Sequence, residues 1–251
     1  MKMSMANCMR IGTFIKTNSP HVVEVLGTTG LDFGVIDQEH GPFDRSSVDL
    51  MMLAGRAARI PLFVRVPEIS SAAILGALDV GAAGLLVPHV DTPAVAAEVV
   101  RHSKFKLGQR GFSNAGRWGN YGTIAVSDAI ALGDEAELIC MIESEEGVEN
   151  AAAIAATRGV SGLMVGRVDL CLAMGMNNPA DDRVVQATKE VIAAGKAAGI
   201  EVAIVVQSVD EAEVFVQHGA SMLIVQSDQM FMRLSARATV ERARHIGKKV
   251  A

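Results

Sequence analysis

Short runs of β-branched and aliphatic residues recur along the chain, and longer Ala-rich stretches with helical spacing separate them. The runs predict strands at 11–15, 33–37, 62–66, 84–88, 138–142, 162–165, 202–206 and 222–225. Helices are predicted at 48–58, 72–80, 94–102, 183–198, 209–218 and, after the last strand, 229–246. Gly199 and Gly219 close two of these stretches, where glycine readily takes a left-handed cap. Strands that alternate with helices in this way build a parallel sheet, and eight such units predict an α/β fold, a (β/α)8 barrel. One interval, 103–122, has no clear period; it reads as a long loop, close to where barrel enzymes place active-site loops. No linker or compositional break divides the chain, so residues 1–251 are expected to form one domain.

Composition agrees with that architecture. The chain has 251 residues, and one such barrel typically takes about 250. Half the residues are hydrophobic and 20% are charged, which excludes disorder. A formal charge of −5 without a clustered basic face excludes nucleic acid as a partner. The basic runs at 101–106 and 242–249 read as solvated helix ends. No apolar run approaches the roughly 20 residues that span a bilayer, and residues 1–10 do not read as a signal peptide, so no membrane association is expected. Cys8, Cys140 and Cys171 are odd in number and widely spaced, which fits neither a disulfide framework nor a CxxC metal site and points to a reducing cytoplasm.

In barrels of this kind chemistry sits at the carboxyl ends of the strands, so the polar residues that follow each apolar run come first. The second run ends in Asp37-Gln38-Glu39-His40-Gly41, the third in Arg65, the fourth in Pro88-His89 and the fifth in Glu143. The sixth runs into Gly166-Arg167-Val168-Asp169 and the eighth into Gln226-Ser227-Asp228. Glu143 and Asp169 come from neighbouring strands and can reach a common point, which suits a hard divalent cation such as Mg²⁺, with Mn²⁺ or Co²⁺ as substitutes. The alternative reading of each is a helix cap, above all for Asp169. Neither has a His or Cys beside it in ligand spacing, which argues against structural zinc. Arg65 ends an apolar strand with no adjacent acid to pair it, which points to a ligand. His40, closely preceded by two carboxylates, suits acid–base work near neutral pH; His89 reads as a rim residue, and His102 and His218 as helix-end surface residues. In the long loop, Arg110, Arg117 and Trp118 either recognise an anionic or sugar-like substrate or are simply solvated. Lys16, after the first run, is the one lysine at a strand end, so Schiff-base chemistry is the lesser possibility.

The segments Asp37-Gln38-Glu39-His40-Gly41, Val64-Arg65-Val66, Leu78-Asp79-Val80-Gly81-Ala82, Leu85-Leu86-Val87-Pro88, Gln109-Arg110-Gly111, Ile142-Glu143 and Gly166-Arg167-Val168-Asp169-Leu170 resemble the HpcH/HpaI aldolase family over roughly residues 10–240. The resemblance implies a pyruvate-type barrel acting as a metal-dependent class II aldolase on 2-oxo-3-deoxy sugar acids and related 4-hydroxy-2-oxo acids. It implies that Glu143 and Asp169 bind the metal and that Arg65 stabilises the enolate oxygen. It implies that His40 transfers a proton, oriented by Asp79 from a neighbouring subunit. Backbone amides across Gly166, Val168 and Asp169 would hold the substrate carboxylate. The implied assembly is a homo-oligomer, trimer or hexamer, to which the apolar stretch 230–234 would contribute unless it packs under the barrel. Two positions depart from the family pattern: Met141 stands where a Gln is usual, and Arg167 where a Pro is usual. The competing readings are an acyl-CoA thioester lyase of the citrate-lyase type and a barrel that binds a metabolite without turnover.

Overall fold

The structure is a computed structural model that describes residues 9–250, with side chains described as far as 246. Eight strands are present: β1 (Arg10–Ile15), β2 (Phe33–Asp37), β3 (Leu62–Arg65), β4 (Gly84–Val87), β5 (Glu137–Ile142), β6 (Gly162–Val165), β7 (Glu201–Val206) and β8 (Met222–Ser227). They close into one all-parallel barrel in sequence order, β8 pairing back onto β1. The (β/α)8 expectation holds, and every predicted strand is found within a residue or two of its expected bounds.

The helices are α1 (Pro20–Leu26), α2 (Arg45–Ala58), α3 (Ser71–Asp79), α4 (Pro93–Ser103), α5 (Val126–Gly133), α6 (Glu145–Glu149), α7 (Ala151–Ala155), α8 (Arg167–Ala173), α9 (Asp182–Ala198), α10 (Val209–His218) and α11 (Asp228–Val250). The sequence pattern finds α2, α3, α4, α9, α10 and α11. It passes over α1, α5 and the short α6, α7 and α8, which span five to eight residues and carry too few turns to display a helical period. Side-chain oxygens cap several starts: Asp44 accepts from the Ser47 amide in a reciprocal box, and Ser70, Thr92, Ser144 and Ser208 do the same at the amino ends of α3, α4, α6 and α10. Gly199 and Gly219 take φ of 71° and 112° at the ends of α9 and α10, the conformation expected of them.

Alternation along the strands divides the core in two. Phe14, Phe33, Val35, Phe63, Leu86, Ile139, Met141, Met164, Ala203, Met222 and Ile224 point inward and fill the barrel. Residues of opposite parity, such as Ile15, Ile36, Val64, Leu85, Cys140 and Ile204, face the helices. Arg10, the first residue of β1, spans the amino end of the barrel to Glu137 and Glu201, the first residues of β5 and β7, at 2.8 and 2.7 Å, and its guanidinium lies over the Phe33 and Phe63 rings. That end is closed by structure, which leaves the carboxyl end for chemistry.

The long helix α11 departs from the rest. It touches the barrel only near its start, and its residues from 231 to 246 are exposed. Phe231, Met232 and Leu234 are exposed and therefore do not pack under the barrel; Phe231 and Met232 border an apolar groove of about 650 Å³ with Val22, Val25 and Leu26 of α1. Among the described residues no helix is long and apolar enough to cross a membrane. Cys140 and Cys171 are free and buried, and burial pushes the Cys140 thiol up to about 12. Cys8 lies outside the described residues.

Candidate active site

The inward parity that fills the barrel continues into its polar mouth. Phe14 leads to Lys16, Phe33 and Val35 to Asp37, Phe63 to Arg65, Ile139 and Met141 to Glu143, and Met164 to Gly166. Five strand ends thus turn their first polar residue, or a glycine, toward the mouth because each sits two residues past an inward apolar one; Lys16, Arg65 and Gly166 line the opening itself. The opening is a cavity of about 380 Å³ whose floor is Phe14, Met141, Met164 and Val205 and whose wall includes Lys16, His40, Arg65 and Asp169.

Asp37 and Arg65 lie opposite each other in the β2–β3 register. The Arg65 Nε donates to Asp37 Oδ1 at 2.9 Å and Nη2 donates to Oδ2 at 2.7 Å; Nη1 lies 3.1 Å from Glu39 Oε2. This corrects the reading of Arg65 as unpaired. No acid is adjacent in sequence, but the parallel pairing of strands brings two. Asp37 is fully buried, and burial alone would raise its carboxyl; the Arg65 hydrogen bonds and charge, the His40 amide and Lys16 outweigh this and hold it below the ordinary value. Lys16 Nζ stands 3.1 Å from Asp37 Oδ2. Arg65 also stacks on Phe14, 4.8 Å from the ring centre, so a planar cation is fixed in the cavity wall.

Glu143 is buried, and its Oε1 accepts a hydrogen bond from the His89 amide at 2.7 Å with the His89 Nδ1 at 3.0 Å. Sequence spacing places no histidine beside Glu143; the β4–β5 pairing supplies one from 54 residues away, on a backbone with φ of 56°. His89 Nε2 in turn lies 3.7 Å from Glu39 Oε1, and His40 Nε2 lies 3.9 Å from Glu39 Oε2. Glu39 is therefore the carboxylate around which Arg65, His40 and His89 gather, a junction that sequence reading missed because Glu39 was weighed only as a neighbour of His40.

Gly166 is the amino cap of α8, and a methyl group there would stand 2.7 Å from Glu143 Oε2, so only glycine admits the carboxylate so close. Asp169 lies in the first turn of α8 and makes no capping bond, which sets aside the helix-cap reading. The Glu143 carboxyl is raised, first by burial and further by the charges of Asp169 and Glu39, against the lowering effect of His89. The buried Glu143 and the exposed Asp169 on the cavity wall offer carboxylate oxygens, the donor type that suits a hard cation. No group of three or more His, Cys, Asp and Glu side chains among the described residues converges on one point, so water and substrate oxygens would complete such a shell.

Arg167 also borders the cavity, yet its guanidinium is turned to structure. It pairs with Glu211, donates to the Pro179 carbonyl at 2.8 Å and lies 4.6 Å from the Phe215 ring centre. Asp79, at the end of α3, is paired with Arg110 at 3.1 Å and has Arg45 at 3.9 Å; it does not meet His40 within one chain. The 103–122 segment is largely irregular, as its lack of period predicts. It joins α4 to α5, and none of its residues lines the strand-end cavity of this chain. Arg110 lies between Phe105 and Trp118, and Arg117 donates to the Val80 carbonyl and to Asp49, so neither is free at this chain's own site. His102 and His218 make only local helix contacts, to Glu98 and the Val214 carbonyl.

The arrangement has known counterparts. Residues 10–233 match the family model described as HpcH/HpaI aldolase/citrate lyase. The chain belongs to the HpcH/HpaI aldolase/citrate lyase family. It is 35% identical to a 5-keto-4-deoxy-D-glucarate aldolase of Salmonella paratyphi A, over 92% of this chain and 90% of that protein. A Klebsiella pneumoniae protein of the same name is 34% identical, over 89% and 88%. Among solved structures, a HpcH/HpaI family protein from Burkholderia cenocepacia J2315 superposes with a TM-score of 0.89 at 30% identity, covering 94% of this chain and 95% of that one. Membership in a family of aldolases and lyases supports an enzyme.

Proposed function

We propose that the chain is a metal-dependent class II aldolase that cleaves a 4-hydroxy-2-oxo acid to pyruvate, or a related 2-oxo acid, and an aldehyde. The observation that carries this reading is that Glu143 packs against Gly166, which with Asp169 and the Arg65 guanidinium lines one strand-end cavity. These two carboxylates would hold a divalent cation, Mg²⁺ foremost and Mn²⁺ or Co²⁺ in its place. When bound, the cation supplies Lewis acidity at the 2-oxo group. Arg65, fixed by Asp37, adds positive charge where the enolate oxygen develops. His40 takes the 4-hydroxyl proton during cleavage, with Glu39 beside it and Asp79 of a neighbouring subunit orienting it. The amides of Val168 and Asp169 hold the substrate carboxylate, whereas that of Gly166 is engaged with the Ile142 carbonyl at 3.0 Å. Glu143→Ala tests the assignment: pyruvate release from 4-hydroxy-2-oxo acids, followed with a coupled assay across the three metals, is expected to vanish. Full retention would overturn it.

We also propose a homo-oligomer, trimer or hexamer, in the reducing cytoplasm; the exposed apolar residues of α11 and the groove beside them support association, and the free Cys140 and Cys171 support a reducing compartment.

A further inference from the structure

Strand pairing alone does not fix Glu143 on its β4 side. The β4–β5 ladder ends at Val87 and Cys140, three residues short of Glu143. Beyond it, the Val90 amide reaches the Met141 carbonyl at 3.3 Å, and the closer contacts come from the turn after β4, residues 88–91. Within that turn His89 takes φ of 56°, a left-handed backbone at a residue with a full side chain. Its amide donates to Glu143 Oε1 at 2.7 Å, while Oε2 lies toward Gly166, where the lack of a side chain makes room for it. A backbone of this kind persists only when its surroundings enforce it.

Asp91, two residues further on, supplies the enforcement. Its Oδ1 accepts from the Ser144 hydroxyl, and its carbonyl accepts from Asn150 Nδ2 at 2.9 Å. The Ser144 oxygen in turn accepts from the Gly147 amide at 3.0 Å. Gly147 is buried against this contact; a methyl group there would stand 3.3 Å from Asp91 Oδ1 and 3.2 Å from Ser144 Oγ. The turn after β4 and the segment after β5 are thus joined across 53 and 59 residues, and one partner, Ser144, is the residue next to Glu143. Asp91, Ser144 and Asn150 do not line the strand-end cavity, so the aldolase reading gives them no task.

We propose that Asp91 is a positioning residue of the active site. It acts through Ser144 and the His89 backbone: with the turn locked against α6, the His89 amide stays on Oε1 and the other oxygen of Glu143 stays turned toward Gly166. Without the lock the left-handed turn relaxes and takes the His89 amide off Glu143. A cap for α6 is the plainer role of Ser144, and it predicts something different. A cap stabilises a helix, whereas a positioning residue changes what its target binds. The inference rests on the aldolase reading for the use made of Glu143, and concerns the parts that aim it.

The test reads Mn²⁺ binding by electron paramagnetic resonance, with urea unfolding alongside. Asp91→Ala is expected to weaken Mn²⁺ binding by about tenfold, the lower end of the effect of disturbing the support of a metal ligand. Asp91→Asn keeps an oxygen that accepts from Ser144 and is expected to recover affinity to within about threefold of the native protein. In a Ser144→Ala background Asp91→Ala should add little, because its route to Glu143 is already cut. Native affinity in Asp91→Ala, whatever its stability, overturns the positioning role. Equal losses in Asp91→Asn and Asp91→Ala would assign the effect to charge and overturn it too. Asn150→Ala loosens the same turn without touching the Asp91 side chain. If Asp91→Ala does not fold, native affinity in Asn150→Ala overturns the proposal in its place. Absence of Mn²⁺ binding by the native protein would remove the aldolase reading and this inference with it.

Discussion

Asp37 and Arg65 meet in direct register across β2 and β3, and the guanidinium closes two parallel hydrogen bonds on a carboxylate that has no exposed surface. The pair locks a cation into the wall of the site before any ligand arrives, and it is among the most strongly held polar features of the barrel.

Removing the carboxylate takes both parallel hydrogen bonds from the buried Arg65 guanidinium and leaves it Glu39 alone as counter-charge. Asp37→Asn is therefore expected to destabilise the fold by about 3–5 kcal/mol, the range for breaking a buried pair from one side. Urea unfolding would register this, and a loss below about 1 kcal/mol would contradict it. The native Asp37 carboxyl is held below its ordinary value. Its contribution to stability is thus complete above about pH 4 and disappears as the pH falls through the lower native value. Between pH 5 and 2 the native protein should lose more stability than Asp37→Asn.

Gly166→Ala probes the close approach of the β6–α8 turn to Glu143. The added methyl would stand 2.7 Å from Oε2 and 2.9 Å from Cβ of Glu143, and must displace the carboxylate. Mn²⁺ affinity, read by electron paramagnetic resonance, is expected to fall by about 10–100-fold, the usual effect of disturbing the support of a metal ligand. Far-ultraviolet circular dichroism should be unchanged.

Arg167 reads as a structural clamp between α8 and α10. Arg167→Ala removes the pairing to Glu211, the bond to the Pro179 carbonyl and the stacking on Phe215, and is expected to cost about 1.5–3 kcal/mol. A double-mutant cycle with Glu211→Gln should show coupling. Additive effects would mean that the pair is not the clamp.

Met232 is 61% exposed beside the groove between α1 and α11. If copies of the chain associate there, Met232→Glu should lower the mass seen by light scattering toward that of a single chain. A native mass of one chain would contradict the oligomer.

The sequence by itself determined the strands, their number and their parity, because alternation of period two and short apolar runs are properties of consecutive residues. From parity alone Arg65 and Glu143 fall at the mouth, and the single barrel follows from eight repeats of one unit. What only the tertiary structure decided is which of these residues touch. Asp37 finds Arg65 and His89 finds Glu143 through strand pairing across 28 and 54 residues, and no local pattern encodes such a contact. A lack of period marks 103–122 as a loop without saying which residues it meets, and only the fold brings Arg110 to Asp79 and Arg117 to Asp49. The bulge in β8 at Gln226 is a mismatch with β1, and a mismatch exists only once both strands are side by side.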